Sequence, residues 1–271
     1  MFWIIQSAVS QGILWGIMAL GVYITYRVLN FADLTVDGSF TMGGAISAML
    51  VARGLNPFLA ILVSIAGGMA AGASTALMNT KLKIPGLLAS ILTQIALYSI
   101  NLRIMGSPNI SLLRTRTLFT DAKALGIPSQ WVTLALALTF SVVVVLLMYW
   151  FFGTEIGSSI RATGDNPFMI RALGVNTDTM TILALIFGNG LVALSGALIA
   201  QQQGYGDIGM GAGAIVIGLA SIIIGEVLFL KKNFMLRLIG VLIGAAVYRI
   251  IIALVLKLGL RSTDMKLLTA I

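Results

Sequence analysis

The sequence predicts an all-α, polytopic transmembrane helical bundle with about eight spans. Three observations carry that expectation. The chain is 59% hydrophobic and 10% charged, with a mean hydropathy of +1.03. Soluble domains average about 45–50% apolar and about 25% charged residues, so these few charges cannot solvate a globule of 271 residues. The apolar residues fall in long continuous runs, as helices of about 20 residues crossing hydrocarbon require; barrel strands would alternate in segments of about ten. Two of the runs are short, and each follows a Gly/Asp-rich interruption.

Taken in order, the runs cover about 3–26, 38–52, 58–79, 86–105, 131–152, 181–203, 213–229 and 238–256. No Lys or Arg precedes the first, so it reads as a retained helix and not as a signal peptide. As helices, runs 38–52 and 213–229 rise only about 23–26 Å. They follow Asn30–Ser39 and Gly204–Gly213. Setting Asp33 over Asp207, an offset of 174 residues, also sets Phe31 over Tyr205, Leu34 over Ile208 and Leu20 over Leu194. With eight spans the two interruptions lie on opposite sides of the membrane, the pattern of an inverted repeat with broken helices. Chance similarity between Gly-rich apolar segments is the alternative. Trp131 and Trp150 bracket the fifth run as an aromatic belt would. Residues 106–130 form a long loop on one side of the membrane, residues 153–177 a polar loop on the other, and 1–271 a single membrane domain. A fresh apolar start at Leu267 predicts a further helix.

Cysteine and histidine are both absent. Disulfides, His or Cys zinc sites and Ser-His-Asp or Cys-His catalysis are therefore excluded. The net charge of +8 comes from cations at the ends of apolar runs. That placement fits anchoring in membrane lipid and offers no arm for nucleic acid.

Few polar groups interrupt the runs. Asp33 and Asp37, four residues apart, would share a helix face. With Asn30, Gly38 and Ser39 they read as the lining of a translocation pathway, or Asp37 or Ser39 simply caps the next helix. Gln94 and Asn101 serve either the pathway or interhelical hydrogen bonds, and Asp207 joins the pathway candidates through the repeat. Arg103 can snorkel outward. Arg249 lies deep in the last run, where a partner on another helix or subunit is expected. Glu226 invites a local ion pair with Lys231 or Lys232. Gly12-x-x-x-Gly16, Gly68-x-x-x-Gly72 and Gly240-x-x-x-Gly244 offer small-residue faces for close helix contact.

The polar loop is the most informative segment. Asn166 can cap a helix that starts at Pro167, and Gly174 can end it. The resulting Asn166–Leu173 helix is too short to persist unless packed. It presents Phe168, Met169 and Arg171 to a partner's groove, or it is an ordinary capped surface helix. The pattern Gly157…Ile160-Arg161-Ala162-Thr163-Gly164-Asp165-Asn166-Pro167…Arg171…Gly174 resembles the cytoplasmic coupling loop of ABC-importer permeases of the branched-chain amino acid and ribose permease family. Leu29–Ser39 resembles that family's signature after an early helix, in a form closest to the subgroup for tryptophan or tyrosine uptake.

The resemblance implies a permease subunit in a bacterial cytoplasmic (inner) membrane, working as a homodimer on a small polar solute, an amino acid. Two separate ATPase subunits would carry ATP and magnesium and seat on Arg161, Gly164, Asp165, Asn166, Pro167, Phe168, Met169, Arg171 and Gly174. An extracellular or periplasmic binding protein would deliver solute. The chain itself would need no cofactor and holds no metal site, and it has no P-loop. Placing Arg161–Gly174 inside puts eight cations on each side of the membrane, so charge alone does not orient the chain. An ion-coupled secondary transporter using Asp33, Asp37 or Asp207 is the alternative; an enzyme lacks an evident base or nucleophile.

The external loop carries Arg114, Arg116 and Lys123 against Asp121. Arg114 and Arg116 are the candidate docking charges for a binding protein. Reversing both to glutamate should slow association strongly at low salt and less at high salt, because steering charges act mainly on encounter. An unchanged association rate at low salt would place docking elsewhere.

Overall fold

The computed structural model describes residues 2–113, 115–124, 126, 128–229 and 233–257. The elements run α1 (Phe2–Val22), a π-helical turn (Tyr23–Val28), α2 (Thr35–Ala52), α3 (Pro57–Thr80), α4 (Gly86–Met105), β1 (Asn109–Ser111), α5 (Leu118–Ala124), α6 (Ser129–Gly153), α7 (Glu155–Asp165), α8 (Pro167–Ala172), α9 (Thr177–Gln203), β2 (Tyr205–Asp207), α10 (Ala214–Leu228) and α11 (Phe234–Lys257). Among the described residues six helices are long and apolar enough to cross a membrane: α1 with its π turn, α3, α4, α6, α9 and α11. α2 and α10 are the two short helices that the sequence predicts, and all eight spans stand within about four residues of their expected limits.

Burial separates an inner pair from a shell. The spans Trp3–Val28 and Thr177–Gln203 are 83% and 72% buried, whereas the other four are 28–39% buried and keep apolar faces outward. α1 and α9 run antiparallel through the centre. Ser195 Oγ donates to the Leu14 carbonyl at 2.7 Å, and Gly21 packs on Gly188, where a Cβ on Gly21 would stand 2.5 Å from the Gly188 carbonyl. Backbones this close leave room for glycine alone, the usual means of joining helices in lipid.

The inverted repeat is visible in the elements. Phe2–Val28, 21 α-helical and six π-helical residues, corresponds to the 27-residue α9; the 18-residue α2 to the 15-residue α10; and the 24-residue α3 to the 24-residue α11. Contacts exchange in the same way. α9 packs on α2 and α3, while α1 packs on α10 and α11. The small-residue faces serve these contacts: Gly12 and Gly16 meet α11, Gly68 and Gly72 meet α9, and Gly240 and Gly244 meet α10.

Four sequence expectations need correction. Residues 106–130 do not form a plain loop. β1 pairs antiparallel with β2 in the register Ile110 to Gly206, and α5 is held by Gln201, whose Oε1 accepts from Leu118 N at 2.9 Å. The polar loop holds two helices, because Thr154 caps a helix over Glu155–Asp165 before Asn166 caps the next. Asp33 and Asp37 do not share a helix face, since Asp33 precedes α2. Glu226 pairs with Arg27 at 2.6 Å, so its partner is distant in sequence. The expected helix near Leu267, and Lys231 and Lys232, lie outside the described residues.

Replacing Gly21 by leucine should destabilise the bundle by at least about 1–3 kcal/mol, the usual range for overpacking. Gly153→Ala meets nothing within 4 Å and should leave thermal unfolding in detergent unchanged. Equal melting for both variants would refute the tight central crossing.

Candidate translocation site and coupling surface

The first interruption is closed by a buried polar network. After the π turn the chain reverses through Asn30, exposed and at φ 56°, a conformation that asparagine tolerates better than most residues. Asp33, 2% exposed, accepts from Thr35 N at 2.9 Å and from Asn189 Nδ2 at 2.8 Å. Asn189 Oδ1 accepts from Ser39 Oγ at 2.6 Å, and the hydroxyls of Thr35 and Thr75 meet at 2.7 Å. α2, α3 and α9 are thus tied together at one level. Ser39 therefore acts across helices, and the side chain that meets the first N–H of α2 is Asp33.

The second interruption hangs on Asp37. Its Oδ2 accepts from Gly213 N and its Oδ1 from Ile215 N, both at 2.9 Å, so the carboxylate caps α10 and not its own helix. Thr41 Oγ1 accepts from Gly211 N at 3.1 Å. Residues 206–213 follow α2 downward: Gly206 lies against Ala48, Met210 against Gly44 and Gly211 against Thr41 and the Asp37 carbonyl. From Ala48 to Asp37 is about 16 Å of helix. Residues 208–213 are therefore non-helical backbone at membrane depth, which is tolerated only inside protein or beside water.

Beside this segment lies a half-open cleft of about 490 Å³. Asp37, Gly38 and Thr41 of α2, Gln94, Tyr98 and Asn101 of α4, and Gly209 line it. Asn101 Nδ2 donates to the Gly38 carbonyl at 3.2 Å, while its Oδ1 is buried without a partner among the described residues. The structure thus brings Asp37, Gly38 and Gln94 together and keeps Asp33 and Ser39 one layer behind. Asp207 stands apart, at the start of the re-entrant segment; its Oδ1 accepts from Gly209 N at 2.8 Å, the same turn that Asp33 makes with Thr35. Asn189, Thr41 and Tyr98 went unread in the sequence. Asn189 had a signal, as a polar residue between two glycines in a long apolar run.

On the opposite side from β1 and α5, α7 and α8 form a crest. Asn166 Oδ1 accepts from Phe168 N and Met169 N, at 3.1 and 3.0 Å, and Pro167 occupies the first helical position. Gly174 follows at φ 84°. Ile170 is buried, while Phe168 and Leu173 are 78% and 71% exposed and Met169 is half exposed. Asp165 is exposed just before the cap. Arg161 turns inward, donating to the Phe152 carbonyl at 2.8 Å with its guanidinium over Phe234. Arg171 Nε donates to Thr177 Oγ1 at 2.6 Å, fastening α8 to the start of α9. Gly164 abuts the Val28 carbonyl, fastening α7 to the π turn. These three residues position the crest, and Phe168, Met169 and Leu173 form its surface. On the outer loop Arg116 pairs with Asp121 at 3.1 Å, and Arg114 lies outside the described residues.

Comparison with known proteins places these features in context. The sequence profile of the branched-chain amino acid transport system permease component matches residues 4–270. A tyrosine transport system permease protein of Clostridioides difficile is 43% identical over 98% of this chain and 88% of its own length. An uncharacterised protein of Rickettsia prowazekii is 35% identical over 99% of this chain and 94% of its own. The autoinducer 2 import system permease protein LsrC of Salmonella typhi is 26% identical over 84% of this chain and 64% of its own.

The chain contains no cysteine, so single thiols can report access to the cleft. Gln94→Cys and Tyr98→Cys should react with a small aqueous thiol reagent, and Ser39→Cys, at a fully buried position, should be protected. Equal protection of all three would mean that the cleft is closed to water.

Proposed function

The chain belongs to the branched-chain amino acid transport permease family, and from that premise we propose that it is the membrane subunit of an ATP-driven, binding-protein-dependent importer for an amino acid, with aromatic amino acids the first to test. The observation that carries the ATP-driven reading is the crest of α8. Asn166, Pro167 and Gly174 fix a six-residue helix, and three large apolar side chains project from it into solvent on the polar side of the bundle. A helix that short holds its shape only when packed, and here Ile170 and the Arg171–Thr177 bond seat it from below. Apolar residues on a rigid, polar-rimmed platform suit a partner's groove.

The solute path in this reading is the cleft beside Asp37. One chain supplies one wall, and Ile95 and Tyr98 of α4, 65% and 57% exposed, face outward beside it. A second copy meeting this face would close the path, so the working unit is a homodimer with two ATPase subunits below. Asp37 holds the re-entrant backbone, while Gln94, Tyr98 and Thr41 offer neutral polar contacts to a passing zwitterion. Asp33, Asp37 and Asp207 each accept backbone N–H bonds. They serve as caps and turns, and no observation favours ion coupling.

The test is coupling in proteoliposomes containing the permease, its ATPase and its binding protein. Replacing Phe168 and Met169 together by alanine should lower solute uptake by at least about tenfold, the scale of losing more than 1.4 kcal/mol at an interface. The membrane fold should melt as the parent does, because both side chains are exposed. Uptake that persists at the parent rate would remove α8 as the coupling element.

A further inference from the structure

The pseudo-two-fold that exchanges α1, α2 and α3 with α9, α10 and α11 leaves one buried group unexplained. The offset of 174 residues carries the inner network of Asp33, Thr35, Thr75 and Asn189 onto Asp207, Gly209, Arg249 and Trp15. The inner set is closed: Asp33 is bonded to Asn189 and Thr35, and Thr35 to Thr75. In the outer set only the local half is made. Asp207 accepts from Gly209 N, as Asp33 does from Thr35 N, but no bond to another helix follows among the described residues.

A cavity and a cation whose Nε has no hydrogen-bond partner among the described residues border the place of that bond. Trp15, 8% exposed, shares a cavity of about 330 Å³ with Asp207, Gln203 and Met210. The guanidinium of Arg249 lies 4.4 Å from the centroid of the same indole ring. Its Nε is buried without a hydrogen-bond partner among the described residues, and Arg249 also lines a cleft of about 500 Å³ between α1 and α11. Ionisable groups at such depth are expensive unless paired. Among the described residues five acids are engaged, Asp33 with Asn189, Asp37 with Gly213, Asp121 with Arg116, Asp178 with Lys83 and Glu226 with Arg27, and Glu155 and Asp165 stand at the two ends of α7 in the crest. Asp207 carries a carboxylate oxygen with no such claim, and Trp15 borders both it and Arg249.

We propose that Asp207 and Arg249 are the two halves of an outer gate, which closes as a carboxylate–guanidinium pair when the Trp15 ring turns aside. The structure holds the inner set closed and the outer set open. The other transport state reverses both: the Asp33–Asn189 bond parts, α1 and α9 shift, and Arg249 exchanges the indole face for Asp207. Arg249 and Asp207 are thus gating residues that act on the order of opening and do not select the solute. The proposal rests on the importer reading for the energy that drives the exchange.

The native absence of cysteine allows a direct test in membrane vesicles carrying the complete transport system. With Asp207→Cys and Arg249→Cys together, copper phenanthroline should form a disulfide at least about tenfold faster in one nucleotide state than in the other, a population shift of ordinary allosteric size. The disulfide should block uptake until reduced. No disulfide in any state, or equal rates in all, overturns the gate. Charge exchange gives a second reading: Asp207→Arg or Arg249→Asp alone should abolish uptake, and the two together should restore it. Harmless single changes, or a dead double variant that still assembles, also overturn it. A thiol at Phe168, shielded when ATPase is bound, reports the importer reading separately, so failure of one is not mistaken for failure of the other.

Discussion

The structure depends on how buried main-chain N–H groups find acceptors where the chain leaves helical form inside the membrane. In hydrocarbon an unpaired N–H costs several kcal/mol. Asp37 meets that demand for the second interruption, taking Gly213 N and Ile215 N on its two oxygens, and Thr41 takes Gly211 N. Because both acceptors project from α2, the re-entrant strand must lie along α2, and α10 must start where Asp37 ends. The short length of α10 and the position of the cleft both follow. The first interruption uses the same device with Asp33 and Thr35.

The two interruptions are carried by one pair of long central helices, and Asn189 of α9 joins the first of them directly. α1 and its π turn meet α9 where Gly21 faces Gly188, with Val192 and Thr25 against them and one serine-to-carbonyl bond, so the two helices can lie at backbone distance. Polar groups cluster instead at the broken ends. The bundle thereby separates a close-packed crossing from polar joints at two depths, one nearer the α7–α8 crest and one near the β1–β2 pair. Transport by repeat exchange asks for this division: rigid helices that move as units, and joints with two discrete hydrogen-bonding arrangements.

Much of this was legible in the sequence, for identifiable reasons. Span number and limits follow from hydropathy, since lipid leaves few alternatives to a helix of the right length. The α8 helix was legible because Asn, Pro and Gly each have one strong local preference, and the 174-residue offset because Asp recurs at the start of both breaks. What failed was partner assignment. Asp37 reads locally as a cap for α2, yet its acceptors serve α10, 176 residues away. Glu226 beside two lysines reads as a local pair, yet Arg27 reaches it from the end of the first span. Arg161 is grouped in the sequence with the residues that would seat an ATPase, yet the Phe152 carbonyl and the Phe234 ring draw it inward. Such pairings are set by helix packing, which no local pattern encodes.

α9 is held at both ends of the bundle by side-chain hydrogen bonds, one at its start and three near its end. At its first residue Thr177 receives Arg171 from the crest, and near its last Gln201 receives Leu118 N while donating to Ser47 and the Pro57 carbonyl. The helix that carries both anchors runs 27 residues without a break, a rod of about 40 Å. A torque applied at either end arrives at the other undiminished by any hinge. Outer events and inner events are then geared on a common shaft, and their timing is set by the twist of one helix instead of by a chain of relays.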